Sequence, residues 1–284
     1  MGMCFGVRDA INLAARRAGD GPVTVLGELV HNETVLDRLK EQGVLTRHDP
    51  GDVTTPEVII TAHGASGRRI QSLRDRGFQV TEATCPLVHR AHQALDRLVA
   101  AGFHPVVVGQ ANHVEVRGLT EDHPGCDVVL SEEDVDALPR RDRFGVVAQT
   151  TQPIAWVRLL VERIRRRFPD SEVRFTDTVC QPTKDRQKAA EDLAQRCDVV
   201  VVVGGPHSNN TRRLADTCRR RCSRVHVVLD ASELEPEWFQ DSDTVGITAG
   251  TSTPDSAIQA VENALRELSG RRISGEVGMH RRAA

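Results

Sequence analysis

Three of the seven cysteines stand in the same local setting, one in which a thiol can act as a nucleophile or a metal ligand. Cys85 ends an extended segment and precedes Pro86, which suits the first turn of a helix because its φ is fixed and its missing N–H has no partner there. Cys180 also ends an extended segment, and Cys4 directly precedes a helical pattern. A helix N-terminus favours the thiolate, which is the form of cysteine that attacks electrophiles and binds metals.

These cysteines mark a threefold repeat in the order of elements. A helical pattern, a β-branched strand pattern and a polar loop follow each one at intervals of 27, 28 and 28 positions: Cys4 to His31, Cys85 to His113 and Cys180 to Ser208. A second strand pattern in each unit ends in another small polar loop, at 62–66, 149–153 and 249–254. Because core thiols have no reason to recur at helix starts, the repeat favours a functional role for the three cysteines.

The alternation of strand and helix patterns predicts an α/β fold with largely parallel strands. The strand patterns are short β-branched runs, at 23–28, 57–64, 105–110, 145–151, 198–205 and 244–250. Three similar units predict three small α/β domains in a pseudo-threefold, trefoil-like arrangement, at 6–85, 86–179 and 180–284 together with 1–5. Because ligands of open α/β sheets bind beyond the carboxyl ends of the strands, we expect the loops and cysteines to converge on one central site.

The polar loops carry side chains that can hydrogen-bond an anion. Imidazoles stand at three of the strand ends: His31, His63 and His113. The stretch "SNNT" opens a helical pattern with the donors Ser208, Asn209 and Asn210. A helix N-terminus of this kind is a ready phosphate or diphosphate site, and Ser252 lies in a similar setting. Each loop alone is explained by helix capping, but their equivalence predicts a joint anion site.

Three thiolates from distant parts of the chain can hold three corners of a 4Fe–4S cluster. Its fourth iron then lacks a protein ligand and can bind a substrate oxygen. The alternative is that the three thiols are buried small hydrophobic residues, because they lack the tight CxxC spacing of many metal sites. The remaining cysteines fit that structural interpretation better: Cys126, Cys197, Cys218 and Cys222.

Glu115 is a candidate proton donor, two residues after His113. A carboxyl group in a closed pocket can hold a raised pKa and deliver protons near neutral pH. The alternative is an ordinary solvated glutamate at a strand end.

Composition and charge exclude several classes of partner. The 37 basic and 40 acidic residues give a net charge of −3, which argues against nucleic acid as the main partner. The sequence shows no basic-then-apolar signal segment and no apolar run near the roughly 18 residues of a membrane span. We therefore expect a cytoplasmic protein with no membrane partner. In that reducing compartment an odd number of cysteines argues against a disulfide framework.

Nine motifs, in order and spread over nearly the whole chain, resemble the LytB/IspH family of 4-hydroxy-3-methylbut-2-enyl diphosphate reductases. No single motif is decisive, but nine in register are very specific. They read "CFGVRDAI", "LVHNE", "TAHGAS", "EATCPLV", "NHVEVRG", "AQTTQ", "DTVC", "SNNTRRL" and "TAGTSTPD".

The resemblance implies a fold and a set of site residues. It implies three α/β domains around a 4Fe–4S cluster with one iron that lacks a protein ligand. The implied cluster ligands are Cys4, Cys85 and Cys180. The residues implied to hold the diphosphate are His31, His63, His113, Ser208, Asn209, Asn210 and Ser252. Thr150 and Glu115 would lie near the substrate hydroxyl, with Glu115 in a proton relay.

The reaction that the resemblance implies is a reductive dehydroxylation in non-mevalonate isoprenoid synthesis. The allylic alcohol 4-hydroxy-3-methylbut-2-enyl diphosphate would bind its oxygen to the open iron and accept two electrons through the cluster. Glu115 would supply protons through the diphosphate and Thr150, and water would leave. The products would be isopentenyl and dimethylallyl diphosphate. A ferredoxin- or flavodoxin-like protein would donate the electrons.

Two other functions remain open. One is another three-cysteine 4Fe–4S enzyme of threefold design, similar to quinolinate synthase, although the "HVEV" and "SNNT" loops favour a diphosphate over a dicarboxylate. The other is a non-catalytic paralogue that binds a cluster or an isoprenoid diphosphate as a sensor. Glu115 and Thr150 argue against the sensor, because a pure binding protein needs no proton relay.

Overall fold

The computed structural model of the protein describes residues 2–273, with side chains up to Ser269. The chain forms two compact units. Cys4–Asp185 make up the larger one, and the described parts of Met1–Met3 and Arg186–Ala284 make up the smaller one. None of the helices within 2–273 combines the length and the apolar character that a bilayer crossing requires.

The larger unit begins with a sheet of four parallel strands in the order β2–β1–β3–β4. Its strands are β1 (Val23–Leu26), β2 (Val44–Arg47), β3 (Glu57–Ile60) and β4 (Gln79–Glu82). Its helices are α1 (Phe5–Asp20), α2 (Glu33–Glu41) and α3 (Gly67–Asp75). One face of the sheet packs on α3 through a cluster of buried aliphatic side chains: Leu26, Val58, Ile60, Ile70 and Leu73.

The second sheet of the larger unit also has four parallel strands, in the order β6–β5–β7–β8. Its strands are β5 (His104–Val108), β6 (Asp127–Val129), β7 (Arg143–Ala148) and β8 (Glu172–Phe175). Its helices are α4 (Pro86–Ala100), α5 (Val114–Glu121), α6 (Glu132–Asp136) and α7 (Ile154–Arg167). Helix α7 covers one face of β5 and β7, and α4 with α5 covers the other. Because both faces are covered, these central strands are apolar without alternation.

The smaller unit holds a sheet of three parallel strands in the order β10–β9–β11. Its strands are β9 (Val199–Val203), β10 (Arg224–Val228) and β11 (Val245–Ala249). Its helices are α9 (Asn209–Arg219) and α10 (Asp255–Ile273), and α8 (Gln181–Ala194) runs into it from the larger unit. The five consecutive valines of β9 are completely buried, because α8 and α9 pack on one face and α10 on the other.

Structure and sequence agree on the architecture. The predicted α/β class with parallel sheets is confirmed, and each of the six predicted strand patterns overlaps a strand. Three of the edge strands, β2, β6 and β10, were missed, because most of their residues are only partly buried and so carry a weak apolar signal. Each sheet falls within one predicted domain range; the boundaries themselves stay a prediction. Residues 1 and 274–284 of the third range lie outside the described residues.

Helices α3 and α5 are joined end to end by hydrogen bonds across the larger unit. Ser66, the residue that caps α3, donates to Glu121 Oε2 at 2.8 Å. The first two backbone N–H groups of α3, at Gly67 and Arg68, donate to the carboxylate of Asp122 at 2.6 and 3.1 Å. A helix N-terminus leaves such N–H groups without partners inside the helix, so the end of α5 completes α3.

Candidate active site

All three cysteines of the predicted site immediately precede a helix in the structure. Cys4 precedes α1, Cys85 precedes α4 and Cys180 precedes α8. Backbone hydrogen bonds tie two of them to the ends of neighbouring strands. Cys85 N donates to Ala62 O just after β3, and Cys180 N donates to Thr150 O just after β7, both at 3.0 Å. The three cysteines therefore all lie within the larger unit, and Cys85 and Cys180 are held at the ends of its strands.

Burial, rather than the helix N-termini, dominates the electrostatics of these thiols. Burial raises the pKa of Cys85, and this outweighs the backbone N–H groups of Leu87 and Val88, which lower it. Burial likewise raises the pKa of Cys180. In these two residues burial therefore opposes, and outweighs, the effect of the helix start on the pKa. Cys4 and Glu115 each act electrostatically on both thiols, so the four groups lie close together.

Gly6 allows the first turn of α1 to approach Cys85. A Cβ at this position would lie 2.4 Å from Cys85 Sγ, which is closer than van der Waals contact allows, and 3.0 Å from Cys85 Cβ, which is unusually tight. Gly6 is buried and helical, so it serves this close approach rather than a turn. The sequence shows this glycine in "CFGV", but not the thiol that it faces.

We expect Gly6→Ala to displace Cys85 or the first turn of α1. The variant should lose about 1–3 kcal/mol of unfolding free energy in urea, as overpacked sites do, although alanine is the better helix former. It should also bind less iron after anaerobic reconstitution. Gly19→Ala is the matched control, because it lies in the same helix with no atom within 4 Å of its new Cβ. Equal stability of the two variants would contradict the close approach.

The other four cysteines lie in apolar surroundings, as predicted. Cys218 and Cys222 are buried in the apolar cluster of the smaller unit, and Cys197 packs against the same cluster. Cys126 packs against the α4–α5 face of the second sheet. Burial raises the pKa of Cys126 to about 12 and that of Cys218 to about 11. All seven cysteines are free.

The three predicted histidines form one cluster. His31 follows β1, His63 follows β3, and His113 directly precedes α5, so all three stand at or just beyond strand ends. The ring centroids of His31 and His63 are 4.3 Å apart in a stacked arrangement. His113 meets both edge-on, with centroids at 5.3 and 5.4 Å. The predicted convergence of these loops is therefore present.

Two ligand chemistries fit three imidazoles whose nitrogens lie within 4.8 Å of one another: a transition metal and an anion. The hydrogen bond that His113 accepts favours the anion. Its Nδ1 accepts the backbone N–H of Glu115 at 3.1 Å, so the neutral ring carries its proton on Nε2. An N–H donates to an anion and cannot ligate a cation. Burial, followed by the charges of His31 and His113, lowers the pKa of His63 well below its ordinary value.

Glu115 and Thr150 form a buried pair beside the cysteines. The backbone N–H of Thr150 donates to Glu115 Oε1 at 2.6 Å, and its hydroxyl donates to Oε2 at 3.0 Å. Glu115 is only 1% exposed, so the alternative of a solvated glutamate is wrong. Burial raises the pKa of Glu115 from 4.5 to about 7, against the lowering effect of both Thr150 bonds. A carboxyl with this pKa exchanges protons at neutral pH.

The remaining predicted residues lie in the smaller unit, beyond the carboxyl ends of β9 and β11. Ser208 caps α9 by accepting the N–H of Thr211 at 3.3 Å. Asn209 and Asn210 form the first turn of this helix, and the Nδ2 of Asn210 is buried without a hydrogen-bond partner. Ser252 is buried in the loop between β11 and α10. The structure thus gives a helix N-terminus with side-chain donors, as predicted.

Sequence analysis missed several buried polar groups in the larger unit. Gln149 and Gln152 are completely buried and bonded to each other at 2.9 Å, yet Gln149 Nε2 and Gln152 Oε1 have no partner. Thr84 Oγ1, next to Cys85, is also buried without a partner. These residues stand in "AQTTQ" and "EATC", so the motifs were the available signal. Buried polar atoms without partners are expected where a ligand binds.

Known proteins resemble this chain over nearly its full length. The family model described as LytB protein matches residues 1–266. The 4-hydroxy-3-methylbut-2-enyl diphosphate reductase of Trichlorobacter lovleyi is 38% identical over 270 residues, which cover 94% of this chain and 96% of that protein. The reductase of the same name from Geobacter metallireducens is 37% identical over 276 residues, which cover 96% and 97%.

Solved structures agree with these relatives. The E-1-hydroxy-2-methyl-but-2-enyl-4-diphosphate reductase of Plasmodium falciparum has a TM-score of 0.88 at 27% identity, and the match covers 93% of this chain and 85% of that one. A second reductase, described as the terminal enzyme of the non-mevalonate pathway, has a TM-score of 0.68 at 36% identity and covers 94% and 96%. Sequence and fold thus point the same way, and the chain belongs to the LytB protein family.

Proposed function

We propose that this protein reduces 4-hydroxy-3-methylbut-2-enyl diphosphate to isopentenyl and dimethylallyl diphosphate. The observation that carries the proposal is the buried Glu115–Thr150 pair beside three thiols that each precede a helix. Membership of the LytB family supports it, as do relatives with the reductase name. Overall, the substrate takes up two electrons and two protons, its C–O bond breaks, a C–H bond forms and water leaves.

We assign the cofactor site to Cys4, Cys85 and Cys180. Three thiols near one another fit the 4Fe–4S type, whose irons are held by cysteine sulfur. Their high pKa is compatible with this, because a bound metal displaces the thiol proton. When bound, the cluster supplies electrons one at a time and an iron without a protein ligand that acts as a Lewis acid.

Glu115 holds the proton that the reaction consumes. A pKa of about 7 means that roughly half of the carboxyls carry a proton at neutral pH. Thr150 fixes both oxygens of this carboxyl, one through its N–H and the other through its hydroxyl. When Glu115 is protonated, the hydroxyl of Thr150 can accept that proton and pass its own onward. The pair therefore forms a two-residue relay from Glu115 towards the substrate oxygen.

We assign diphosphate binding to clustered hydrogen-bond donors, which are described for each unit by itself. In the larger unit these are the clustered imidazoles His31, His63 and His113. In the smaller unit we assign the same task to Ser208, Asn209, Asn210 and Ser252, because a helix N-terminus favours an anion. Histidine, serine and asparagine donors also avoid the fixed positive charge that arginines would bring.

The electron donor is a ferredoxin- or flavodoxin-like protein, and we place the reductase in the cytoplasm, where free cysteines are kept reduced. We also retain the three domains at 6–85, 86–179 and 180–284 with 1–5, since each contains one of the sheets. The sensor and the enzyme similar to quinolinate synthase are less well supported. A buried carboxyl at a pKa of about 7 fits a proton donor better than a sensor.

The proposal is tested by anaerobic reconstitution with iron and sulfide, followed by an assay of substrate consumption with a strong one-electron donor. We expect both isoprenoid diphosphates as products. A protein that binds the cluster and the diphosphate but never turns over would be the sensor. A protein that binds neither would remove the proposed site.

A further inference from the structure

The loop after β1 contains a carboxylate–imidazole pair that sequence analysis did not single out. Glu28 Oε2 lies 2.9 Å from His31 Nδ1. The side chain of Glu28 is 44% exposed and that of His31 only 19%, so the carboxylate meets the imidazole from the solvent side. A carboxylate accepts hydrogen bonds, so the proton in this contact lies on Nδ1 of His31.

This proton position has a consequence for anion binding. A neutral imidazole with its proton on Nδ1 has a lone pair on Nε2, which repels an anion. Only the imidazolium form carries an N–H on both nitrogens. His113 does not share this limit, because its neutral ring already carries the proton on Nε2. His31 must gain a proton before its Nε2 can donate.

The surroundings of His31 make it the member of the cluster that can carry the charge. Three titratable groups contact it: Glu28 on its own loop, His63 after β3 and His113 at the start of α5. Glu28 is the acidic member of this set. His63 is a poor carrier, because burial and its two imidazole neighbours lower its pKa. A carboxylate beside His31 offsets the charge that its ring would gain.

We propose that Glu28 is a positioning residue that makes His31 the cationic member of the histidine cluster, so that a diphosphate binds together with one proton. This rests on the proposed function, because it takes a diphosphate as the ligand. Glu28 acts through His31 and does not touch the reacting atoms. It should therefore affect the KM more than the kcat.

The test is calorimetric titration of the reconstituted protein with inorganic pyrophosphate, in buffers of different ionisation enthalpy at about pH 8. The slope against buffer enthalpy gives the number of protons taken up. In Glu28→Gln the amide can donate to His31 Nδ1, which lets the neutral ring carry its proton on Nε2. We expect proton uptake to fall by close to one relative to wild type. We also expect about tenfold weaker binding, since a charge-assisted hydrogen bond is lost.

The comparison between wild type and Glu28→Gln isolates the effect of Glu28, because pyrophosphate and all other side chains are the same in both. Glu28→Ala should lower the uptake in the same way, since it also frees the ring to move its proton. Glu41→Gln is the matched control, because it removes an exposed charge at the end of α2 and should behave as wild type. Equal proton uptake in wild type and Glu28→Gln would overturn the role of Glu28. Failure of wild type to bind pyrophosphate would count against the diphosphate site itself.

Discussion

Glu115→Gln should lose most turnover while it keeps the fold, the cofactor and the diphosphate. Glutamine has the same shape, and its Oε1 can still accept the N–H of Thr150, as Glu115 Oε1 does at 2.6 Å. It cannot release a proton, however. Removal of a general acid typically lowers rates by about 10²–10⁴-fold, and we expect kcat to fall in that range. Substrate consumption with an excess of a strong artificial one-electron donor measures this, because each turnover needs two electrons and the natural donor is then not required.

The pH dependence of the wild type should show the same group. Because burial raises the pKa of Glu115 to about 7, turnover should fall by about tenfold per pH unit above that value if proton delivery limits the rate. The stability has the matching sign. A raised pKa stabilises the fold at low pH, and this contribution is lost as the pH rises through about 7. Glu115→Gln should therefore gain melting temperature relative to wild type between about pH 5 and pH 8.

The control for this variant is Glu133→Gln, which removes an exposed carboxylate from α6. It should keep wild-type turnover and the wild-type pH profile. A wild-type rate in Glu115→Gln would take Glu115 out of the mechanism. A melting temperature difference that does not change with pH would instead show that Glu115 does not titrate near neutrality.

Cys85→Ser should lose both the cluster and the activity. The proposed site has three protein sulfur ligands, and this substitution leaves two. A serine hydroxyl is a much poorer iron ligand than a thiolate. We expect less than about a tenth of the iron and sulfide of the wild type after anaerobic reconstitution, with no measurable turnover. Iron content and the visible absorption of the cluster report on binding independently of the reaction. The same result is expected for Cys4→Ser and Cys180→Ser.

Cys126→Ser is the matched control for these variants, because Cys126 lies in the same unit but packs against an apolar cluster. It should bind iron as the wild type does, with at most a modest loss of stability. Iron loss in Cys126→Ser alone, with the cluster intact in Cys85→Ser, would refute the ligand assignment. Retention of the cluster in all four variants would do the same.

Sequence patterns predicted most of the fold because the central strands are covered on both faces. The run Val199–Val203 is apolar at every position, since helices pack on both sides of β9. Edge strands such as Val44–Arg47 pair with a neighbour on one side only and are partly exposed. Their apolar pattern is therefore weaker, and they were missed. In α4 the spacing of Leu87, Ala91 and Leu95 predicts that Leu87 lies on the buried face, whereas the structure buries Val88 and leaves Leu87 only partly covered.

The site was predictable as far as repetition in the sequence reveals it. The three cysteines recur at helix starts and the histidines at strand ends, and Glu115 stands two residues after His113, so their positions along the sequence were enough to find them. Gly6 and Glu28 act through a neighbour in space, Cys85 and His31 respectively, and no spacing rule identifies them. The effect of burial on the pKa of Cys85 could not be read from the sequence for a similar reason, because burial depends on the whole unit and the helix start is local.

The hydrogen bonds that join α3 to the end of α5 affect how the larger unit unfolds. The N–H groups of Gly67 and Arg68 find their acceptor only when Asp122 is in place. Helix α3, which packs on the first sheet, therefore lacks these two acceptors whenever the end of α5 on the second sheet is unfolded. This couples the unfolding of the two parts in one cooperative transition. Amide hydrogens at the start of α3 and within α5 should consequently exchange with solvent through the same opening event. His63 and Glu115, on either side of this joint, would lose their geometry together rather than one at a time.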